Sequence, residues 1–377
     1  MSESAKKILF TSHTANFQKF NRPPIKMLRG KLSGKYKDLN IGNCIVDYAS
    51  ANEEKVVDVD EVFEVEFSRN PLNFTKHFKA YSQLKKILRS NNYKLVHTHT
   101  PVGSVITRLA TKAFRKKGLK VIYTAHGFHF YEGAPWHYWV TWYLLEKMMS
   151  RWTDLIITIN SEDFERAYKK FHCEVKRIDG VGVDLERFYE FKNKQKLREK
   201  YGFLKDEFLI IYTAEFIERK NHRFLIQGLA NILKENPKVR LVLIGTGRLE
   251  DEMKELAREL GISEQVQFLG YVNKVEEYLN CGNLCISTCK EEGLGLGVLE
   301  AIACGCSILL ADTRGHREIV GNEKKYLFDI SDESNFSKKV RDAIANNSKY
   351  RMQFPERFSL ENSLREMREI YREVLKK

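Results

Sequence analysis

The stretch Lys290-Glu-Glu-Gly-Leu-Gly-Leu-Gly-Val-Leu-Glu-Ala301 decides the fold of this chain. The apolar run before it, residues 284–288, predicts a buried strand, and the apolar residues 298–304 predict the first turns of a helix. Three glycines at alternate positions let the backbone turn sharply and leave N–H groups uncovered where that helix begins. This order of strand, glycine-rich loop and helix predicts a phosphate site, as for a nucleotide or a phosphosugar.

Two acidic residues flank the glycines. Glu292 lies in the loop, and Glu300 follows after seven intervening residues, on the predicted helix and about two turns away from Glu292. Both carboxylates can face a ligand that lies across the loop, where they accept hydrogen bonds from sugar hydroxyls. The alternative is a plain glycine-rich turn before a core helix.

Short apolar strands alternate with helical patterns on both sides of residues 177–188, which we interpret as an interdomain crossover. The alternation predicts an α/β protein with two Rossmann-like domains, parallel sheets facing across a cleft, and ligands beyond the carboxyl ends of the strands. Predicted strands are 7–11, 45–48, 62–67, 95–97, 121–124 and 155–159, then 208–212, 240–244, 266–269, 284–288 and 307–310. Predicted helices are 22–29, 74–90 and 136–152, then 223–235, 249–260, 275–280, 298–304 and 360–375.

Composition places the protein in the cytoplasm. No apolar run has membrane-spanning length, and the first ten residues lack the apolar core of a signal peptide. The seven cysteines suit a reducing compartment. Cys281, Cys285 and Cys289 recur at every fourth position, which suggests metal ligands; however, Cys285 lies in a predicted strand, and small buried residues are the better interpretation.

The positive charge is unevenly distributed. Residues 1–180 contain 30 Lys and Arg against 18 Asp and Glu, whereas residues 181–377 contain 33 against 32. We therefore expect an acidic partner for the first domain. No helix-turn-helix, zinc-finger or RNP-like pattern favours nucleic acid, so an anionic membrane surface and a lipid-linked phosphate are the leading candidates.

The glycine-rich stretch resembles the Glu-x7-Glu motif of glycosyltransferase family 4, whose members are retaining enzymes with the GT-B fold. The usual sequence of this motif is Glu-Gly-Phe-Gly-Leu-Pro-x-x-Glu. Leu294 and Gly297 replace the phenylalanine and the proline, and neither change moves a carboxylate. The resemblance implies that Glu292 holds sugar hydroxyls and Glu300 the ribose of a UDP-sugar. It also implies that the backbone of Gly293, Gly295 and Leu296 contacts the donor. Domains of 1–182 (acceptor), 183–357 (donor) and a last helix, 358–377, that crosses back are expected.

Residues 213–221 resemble the family segment whose arginine and lysine bind the donor diphosphate. Lys220 matches the lysine, but Glu215 stands at the arginine position. Cations there stabilise a leaving diphosphate. Arg219 is the candidate to replace the missing arginine, although a residue one place along can point elsewhere.

Four further residues of the second domain resemble donor-binding positions of the family. Gly245 and Gly247 form a second glycine turn after a strand, and Arg248 next to them approaches a phosphate or the base, or is merely solvated. Tyr271 is a candidate to stack on uracil.

In the first domain, His126 follows a predicted strand at the place where the family commonly has a histidine facing the donor sugar. An imidazole there can bind a hydroxyl and lie beside developing positive charge without acting as a base. His99 is a candidate contact for acceptor or donor, whereas His97 is expected to pack.

The acceptor has two further candidate contacts. The loop after the first strand lacks the Gly-Gly that many family members have, so Asn16 or Thr14 is expected to serve instead. Arg69 is a candidate for an acidic acceptor, with surface solvation as the alternative. Asp58-Val-Asp60 matches the metal-binding signature of GT-A enzymes, but such a tripeptide is common by chance, and we expect no metal and no cofactor.

The segment 136–149 is rich in Trp and Tyr, which favour either the protein core or a membrane interface.

The predicted activity is retaining transfer of a hexose or N-acetylhexosamine from a UDP-sugar to a lipid-linked saccharide, in synthesis of a bacterial capsule or exopolysaccharide, at the inner face of the membrane. Two alternatives are a nucleotide-sugar 2-epimerase and a catalytically silent binding protein with the same fold. The sequence leaves the sugar, the linkage and the oligomeric state open.

Overall fold

The computed structural model describes residues 5–52 and 56–376. The chain forms two compact units: the first runs to Gly182 and also contains Leu360 onward, and the second is Val183–Ser359. Each unit has one sheet in which all the paired strands are parallel. None of the helices within the described ranges is long and apolar enough to span a bilayer.

The first unit contains a seven-stranded sheet in the order β3-β2-β1-β4-β5-β6-β7. Helices cover the sheet, as expected when parallel strands need crossover connections. The strands are β1 Lys6–Thr11, β2 Cys44–Ser50, β3 Val62–Glu64, β4 Tyr93–His99, β5 Lys120–Ala125, β6 Leu155–Thr158 and β7 Glu174–Arg177. The helices are α1 Gln18–Leu28, α2 Phe74–Ser90, α3 Pro101–Arg115, α4 Trp136–Tyr138, α5 Leu144–Met149, α6 Ser161–Lys170 and α14 Leu360–Lys376.

The second unit contains a six-stranded sheet in the order β10-β9-β8-β11-β12-β13. Its strands are β8 Phe208–Thr213, β9 Val239–Ile244, β10 Val266–Phe268, β11 Leu284–Ser287, β12 Ser307–Ala311 and β13 Leu327–Phe328. Its helices are α7 Lys194–Lys200, α8 His222–Glu235, α9 Glu250–Glu259, α10 Val275–Cys281, α11 Leu296–Ala303, α12 Arg314–Val320 and α13 Glu333–Ala345. The order reverses between β8 and β11, which puts the loops after these two strands side by side at the carboxyl edge.

Two predicted boundaries in the first unit were wrong. Helix α1 begins at Gln18 rather than Arg22 and contains Pro23 and Pro24, because burial of residues such as Ile25 and Leu28 outweighs the proline penalty. Strand β3 ends at Glu64 instead of continuing to residue 67, since it pairs on one side only, at the edge of the sheet.

The predicted helix 136–152 is not regular. A π turn, Trp139–Tyr143, separates α4 from α5, and a 3₁₀ turn, Ser150–Trp152, follows. We call residues 136–149 the aromatic helix. One side of it, with Trp139, Trp142 and Tyr143, packs against the core cluster around Phe128 and Phe130.

The other side of the aromatic helix is an apolar stripe at a spacing of four residues. Its members are exposed by 75% (Trp136), 52% (Val140), 54% (Leu144) and 46% (Met148). The segment therefore has both a core face and an exposed apolar face.

Candidate active site

The glycine-rich loop of the second unit connects β11 to α11. Gly295 is the N-cap of α11 and has a φ of +100°, which side chains other than glycine rarely adopt. A Cβ at this position would lie 3.3 Å from Cδ2 of His316 and 3.6 Å from Cγ of Glu292. Because the cap residue has no side chain, the first amides of α11, beginning with that of Leu296, have no side-chain cap and are suited to an anion.

The loop is held from below by α12. The Gly315 amide donates to the carbonyl of Glu292 at 3.2 Å, and a Cβ on Gly315 would lie 2.7 Å from the backbone nitrogen of Leu294. The loop segment that contains Gly293 thus lies directly on the start of α12. This close approach fixes the backbone that carries Glu292.

Glu292 forms an ion pair with Lys220, which follows β8 in a neighbouring loop. The side chain of Lys220 is 18% exposed and that of Glu292 is 15% exposed. Burial alone would raise the pKa of Glu292, but the charges of Lys220 and Arg219 outweigh it and lower the pKa to about 2. Two residues separated by 72 positions, both predicted to bind the donor, are therefore in contact.

Arg219 lies beside this pair. Its guanidinium donates to the carbonyl of Glu291 at 3.2 Å, and its own carbonyl accepts from the Lys290 amide at 2.8 Å. The 3₁₀ turn Glu218–Lys220 is thereby tied to the glycine-rich loop. Glu215 is exposed. The structure thus brings a second cation to Glu292 although the family arginine is absent.

The remaining predicted donor residues surround this loop less closely. Gly245 and Gly247 lie against the backbone after β8, and a Cβ on Gly247 would be 2.6 Å from the nitrogen of Phe216. Arg248 is exposed and paired with Glu218, and Tyr271 is 79% exposed.

Glu300 is on α11, one turn after its start, and is partly exposed. Burial raises the pKa of the Cys285 thiol on β11, and the nearby charge of the Glu300 carboxylate raises it further. Its role in holding a ribose stays a prediction.

His316 was not among the predicted site residues. It is fully buried on α12, and its Nδ1 lies 2.6 Å from the carbonyl oxygen of Ala311. Burial lowers its pKa, although the charge of Glu292 opposes this. The sequence signal for this position is the stretch Thr313-Arg-Gly-His-Arg-Glu-Ile319, which follows the apolar strand β12 and begins helix α12.

Three histidines gather at the carboxyl ends of β4 and β5 in the first unit. His97 packs as predicted, between the hydroxyls of Tyr371 at 2.7 Å and Thr124 at 2.8 Å. His99 Nδ1 lies 3.2 Å from Nε2 of His126. Burial lowers the pKa of His126 to about 4, so its imidazole is neutral at physiological pH. A neutral imidazole suits hydrogen bonding to a hydroxyl.

Arg69 lies near the carboxyl end of the first strand. Its Nε donates to Nε2 of His13 at 2.6 Å. Asn16 is in the 3₁₀ turn Ala15–Phe17, but its side chain lies outside the described part of the structure.

Asp58 and Asp60 are both paired with arginines: Arg22 of α1 binds Asp58, and Arg29, the C-cap residue of α1, binds Asp60. Asp60 also accepts from the Val46 amide at 2.8 Å. These contacts give the two carboxylates structural partners. In the described ranges, no group of three or more His, Cys, Asp or Glu side chains is arranged to hold a metal ion.

Comparison with family models assigns both units. The model described as Glycosyltransferase Family 4 matches residues 45–187, and the model described as Glycosyl transferases group 1 matches residues 193–358. The protein named glycosyltransferase EpsD of Bacillus subtilis (strain 168) is 39% identical over 300 residues, which cover 78% of this chain and 78% of that protein. The UDP-Gal:alpha-D-GlcNAc-diphosphoundecaprenol alpha-1,3-galactosyltransferase of Escherichia coli is 26% identical and covers 70% of each chain.

Among solved structures, HepE of Anabaena in complex with UDP and glucose superposes with a TM-score of 0.76. The match covers 98% of this chain and 100% of HepE at 18% identity, so it bears on the fold alone. The two parallel-sheet units and the relatives together show that this chain belongs to glycosyltransferase family 4, with the GT-B fold.

Proposed function

We propose that this glycosyltransferase moves a hexose or N-acetylhexosamine from a UDP-sugar to a lipid-linked saccharide with retention of the α configuration. The observation that carries the proposal is the contact of Glu292 with Lys220, with Arg219 alongside, next to the uncapped start of α11. A diphosphate would find two cations and free amides there, and a sugar would find a carboxylate that stays ionised.

The relatives support the choice of substrates. The Escherichia coli relative is named for UDP-Gal as donor, for a diphosphoundecaprenol-linked acceptor and for an alpha-1,3 linkage. The HepE structure contains UDP and glucose.

In the proposed reaction, the acceptor hydroxyl attacks the anomeric carbon from the face that the diphosphate leaves. The new C–O bond forms as the sugar–phosphate bond breaks, and the acceptor proton passes to the leaving phosphate oxygen. Lys220 and Arg219 stabilise the charge that develops on the diphosphate, so the scheme needs no metal. Glu292 orients the sugar hydroxyls, Glu300 holds the ribose, and His126 is the first-unit candidate for a sugar contact.

We also propose that the first unit associates with the inner face of an anionic membrane. The exposed stripe Trp136, Val140, Leu144 and Met148 is suited to insertion between headgroups. Lys112, whose ammonium lies 4.0 Å from the ring centre of Trp152, is an exposed cation close to the end of the aromatic helix. Leu144→Glu should reduce sedimentation with phosphatidylglycerol vesicles several-fold, whereas unchanged sedimentation would contradict this assignment.

The test of the activity is a panel of UDP-Glc, UDP-Gal, UDP-GlcNAc and UDP-GalNAc, each incubated with the protein and assayed for released UDP. One donor should be hydrolysed slowly without an acceptor, and Glu292→Gln should abolish turnover while UDP affinity stays nearly unchanged. Absence of turnover with every donor would favour a silent binding protein. Interconversion of free UDP-sugars would favour an epimerase.

A further inference from the structure

The start of α2 presents an exposed apolar face in the first unit. Leu72, Phe74 and Phe78 are exposed by 73%, 73% and 72%. Phe74 and Phe78 are one turn apart on the helix and so share one side, and Leu72 lies two residues before the helix begins. Three large apolar side chains this exposed within seven residues are unusual on a free surface and indicate a binding face.

A cation lies beside this face. Arg69 is exposed, and its Nε is committed to His13, a neutral acceptor that leaves the guanidinium charge uncompensated. Within the ranges that the structure describes, Arg69 has no carboxylate partner. By contrast, Arg29 of the same unit is already paired with Asp60.

The orientation of Arg69 is fixed by neighbouring contacts. Its acceptor His13 follows β1, and the His13 amide donates to the hydroxyl of Thr100, the N-cap of α3, at 3.3 Å. Burial and the charge of Arg69 lower the pKa of His13 to about 4, so this imidazole remains an acceptor at physiological pH. The bond to His13 therefore holds the guanidinium of Arg69 beside the carboxyl end of β1, at the edge of the sheet where ligands of such folds bind.

The loop between Arg69 and α2 is also fixed. His77 Nε2 lies 3.0 Å from the Asn70 carbonyl oxygen, and the Asn73 amide donates to the same oxygen at 3.1 Å. The Leu72 amide donates to Oδ1 of Asn70 at 3.0 Å. A loop of fixed conformation therefore connects Arg69 to the apolar face, and the first turn of α2 contains no acidic residue that would repel an anion.

We propose that Arg69 and the face formed by Leu72, Phe74 and Phe78 bind the lipid diphosphate end of the acceptor. The guanidinium takes a diphosphate oxygen, because its planar donors match that geometry, and the three side chains cover the first part of the hydrocarbon chain. This inference rests on the proposed function, and it specifies which residues recognise the lipid rather than the saccharide. Charge complementarity favours a lipid diphosphate over a second copy of this basic chain.

The probe is farnesyl diphosphate, a soluble isoprenoid diphosphate, titrated by calorimetry in saturating UDP so that the nucleotide site is occupied. The protein should bind it roughly tenfold or more tightly than either pyrophosphate or farnesol, since both halves of the surface contribute. Leu72→Ser/Phe74→Ser/Phe78→Ser should reduce the affinity to that of pyrophosphate. Arg69→Gln should reduce it to that of farnesol, with Arg69→Lys between.

The matched control is Tyr168→Ser/Leu204→Ser, which removes side chains exposed by 65% and 61% elsewhere on the chain. It should leave farnesyl diphosphate affinity unchanged. All variants should keep the unfolding transitions of both units, followed by tryptophan fluorescence for the first unit and by circular dichroism for both, which shows that they fold.

Several outcomes would overturn the inference. One is unchanged farnesyl diphosphate affinity in the triple variant. Another is a triple variant that loses only vesicle binding, which would make the face a bilayer contact. A third is a triple variant that only dissociates a dimer, which would make the face an interface between two copies of the chain. UDP-sugar hydrolysis on the same samples separates the two proposals. If the protein hydrolyses a UDP-sugar but the substitutions leave farnesyl diphosphate binding unaffected, only this inference is overturned. If the substitutions in the face weaken that binding but the unsubstituted protein hydrolyses no UDP-sugar, the proposed activity is overturned.

Discussion

Replacing Glu292 by glutamine should destabilise the second unit by about 3 kcal/mol at neutral pH. The magnitude follows from the pKa of Glu292, which falls from 4.5 to about 2 in the folded protein. Each pKa unit corresponds to about 1.4 kcal/mol of preference for the ionised form. The carboxylate is only 15% exposed, so solvent screens the pair weakly.

The pH dependence has a definite sign. A carboxyl group whose pKa is lowered by folding stabilises the protein above its unfolded pKa, here near 4.5, and loses that contribution as the pH falls toward 2. The difference in unfolding free energy between the parent and Glu292→Gln should be constant from about pH 5.5 to 8 and should shrink below pH 4.5.

The assay can separate the two units because the four tryptophans, at positions 136, 139, 142 and 152, are all in the first. Urea unfolding followed by tryptophan fluorescence reports on the first unit, and circular dichroism reports on both. Only the circular-dichroism transition should shift in Glu292→Gln. The double variant Lys220→Met/Glu292→Gln should lose less than the sum of the single variants, because the single change leaves a buried charge unpaired. Additive losses, or a Glu292→Gln difference that is unchanged at pH 3, would refute the reasoning.

Three other predictions concern the rest of the molecule. Arg108 and Glu146 form a buried ion pair between α3 and α5 in the first unit, so Glu146→Leu, which leaves the buried Arg108 guanidinium without a carboxylate, should lower its stability by about 3–5 kcal/mol in the fluorescence transition, and a loss below about 1 kcal/mol would contradict this. Because burial raises the pKa of Glu146, the neutral isostere Glu146→Gln should cost less than Glu146→Leu. His126→Asn should lower kcat about 10²-fold with little change in UDP affinity. Since the pKa of His126 is about 4, the rate of the parent protein should show no titration of this group between pH 5.5 and 8. An inflection near pH 6.5 that disappears in His126→Asn would show that His126 acts as a base instead. Gly247→Ala should destabilise the second unit by about 2 kcal/mol or more, because its Cβ would lie 2.6 Å from the Phe216 backbone, whereas Gly321→Ala meets no atom within 4 Å and should carry only the dihedral penalty of roughly 1 kcal/mol.

Most of the described strands were predictable from the sequence because fully buried parallel strands are uninterrupted apolar runs, whereas β7, which has one buried residue, and β13, which has two residues, were not predicted. Ile8, Leu9 and Phe10 of β1, for example, are all 0% exposed. Helix α3 gave no such signal, since its buried side includes Ser104, Thr107, Arg108 and Thr111. These polar residues form hydrogen bonds within the helix, and Arg108 also pairs with Glu146, a contact that no local pattern shows, although Nη1 of Arg108 is buried without a hydrogen-bond partner in the described structure.

The residues of the candidate site were predictable where they belong to a motif within one loop. Glu292, the alternate glycines and Lys220 each belong to short motifs, whereas the contact between Lys220 and Glu292 spans 72 residues and required the sheet order. The approach of Arg219 to Glu292 depended on a backbone bond to Lys290, and the location of His316 under the loop depended on α12. Long-range geometry of this kind is not encoded in residue spacing.

The most direct measurement is a calorimetric titration of UDP into the parent protein and into Arg219→Ala/Lys220→Ala, with Arg223→Ala, an exposed arginine paired with Glu252, as the control. UDP should bind the parent and the control equally and should bind the double variant about 100-fold more weakly, because the two cations that we propose to face the diphosphate are gone. Equal affinity of the double variant and the parent, or no binding of UDP by the parent, would contradict the assignment of the nucleotide-sugar site to this loop.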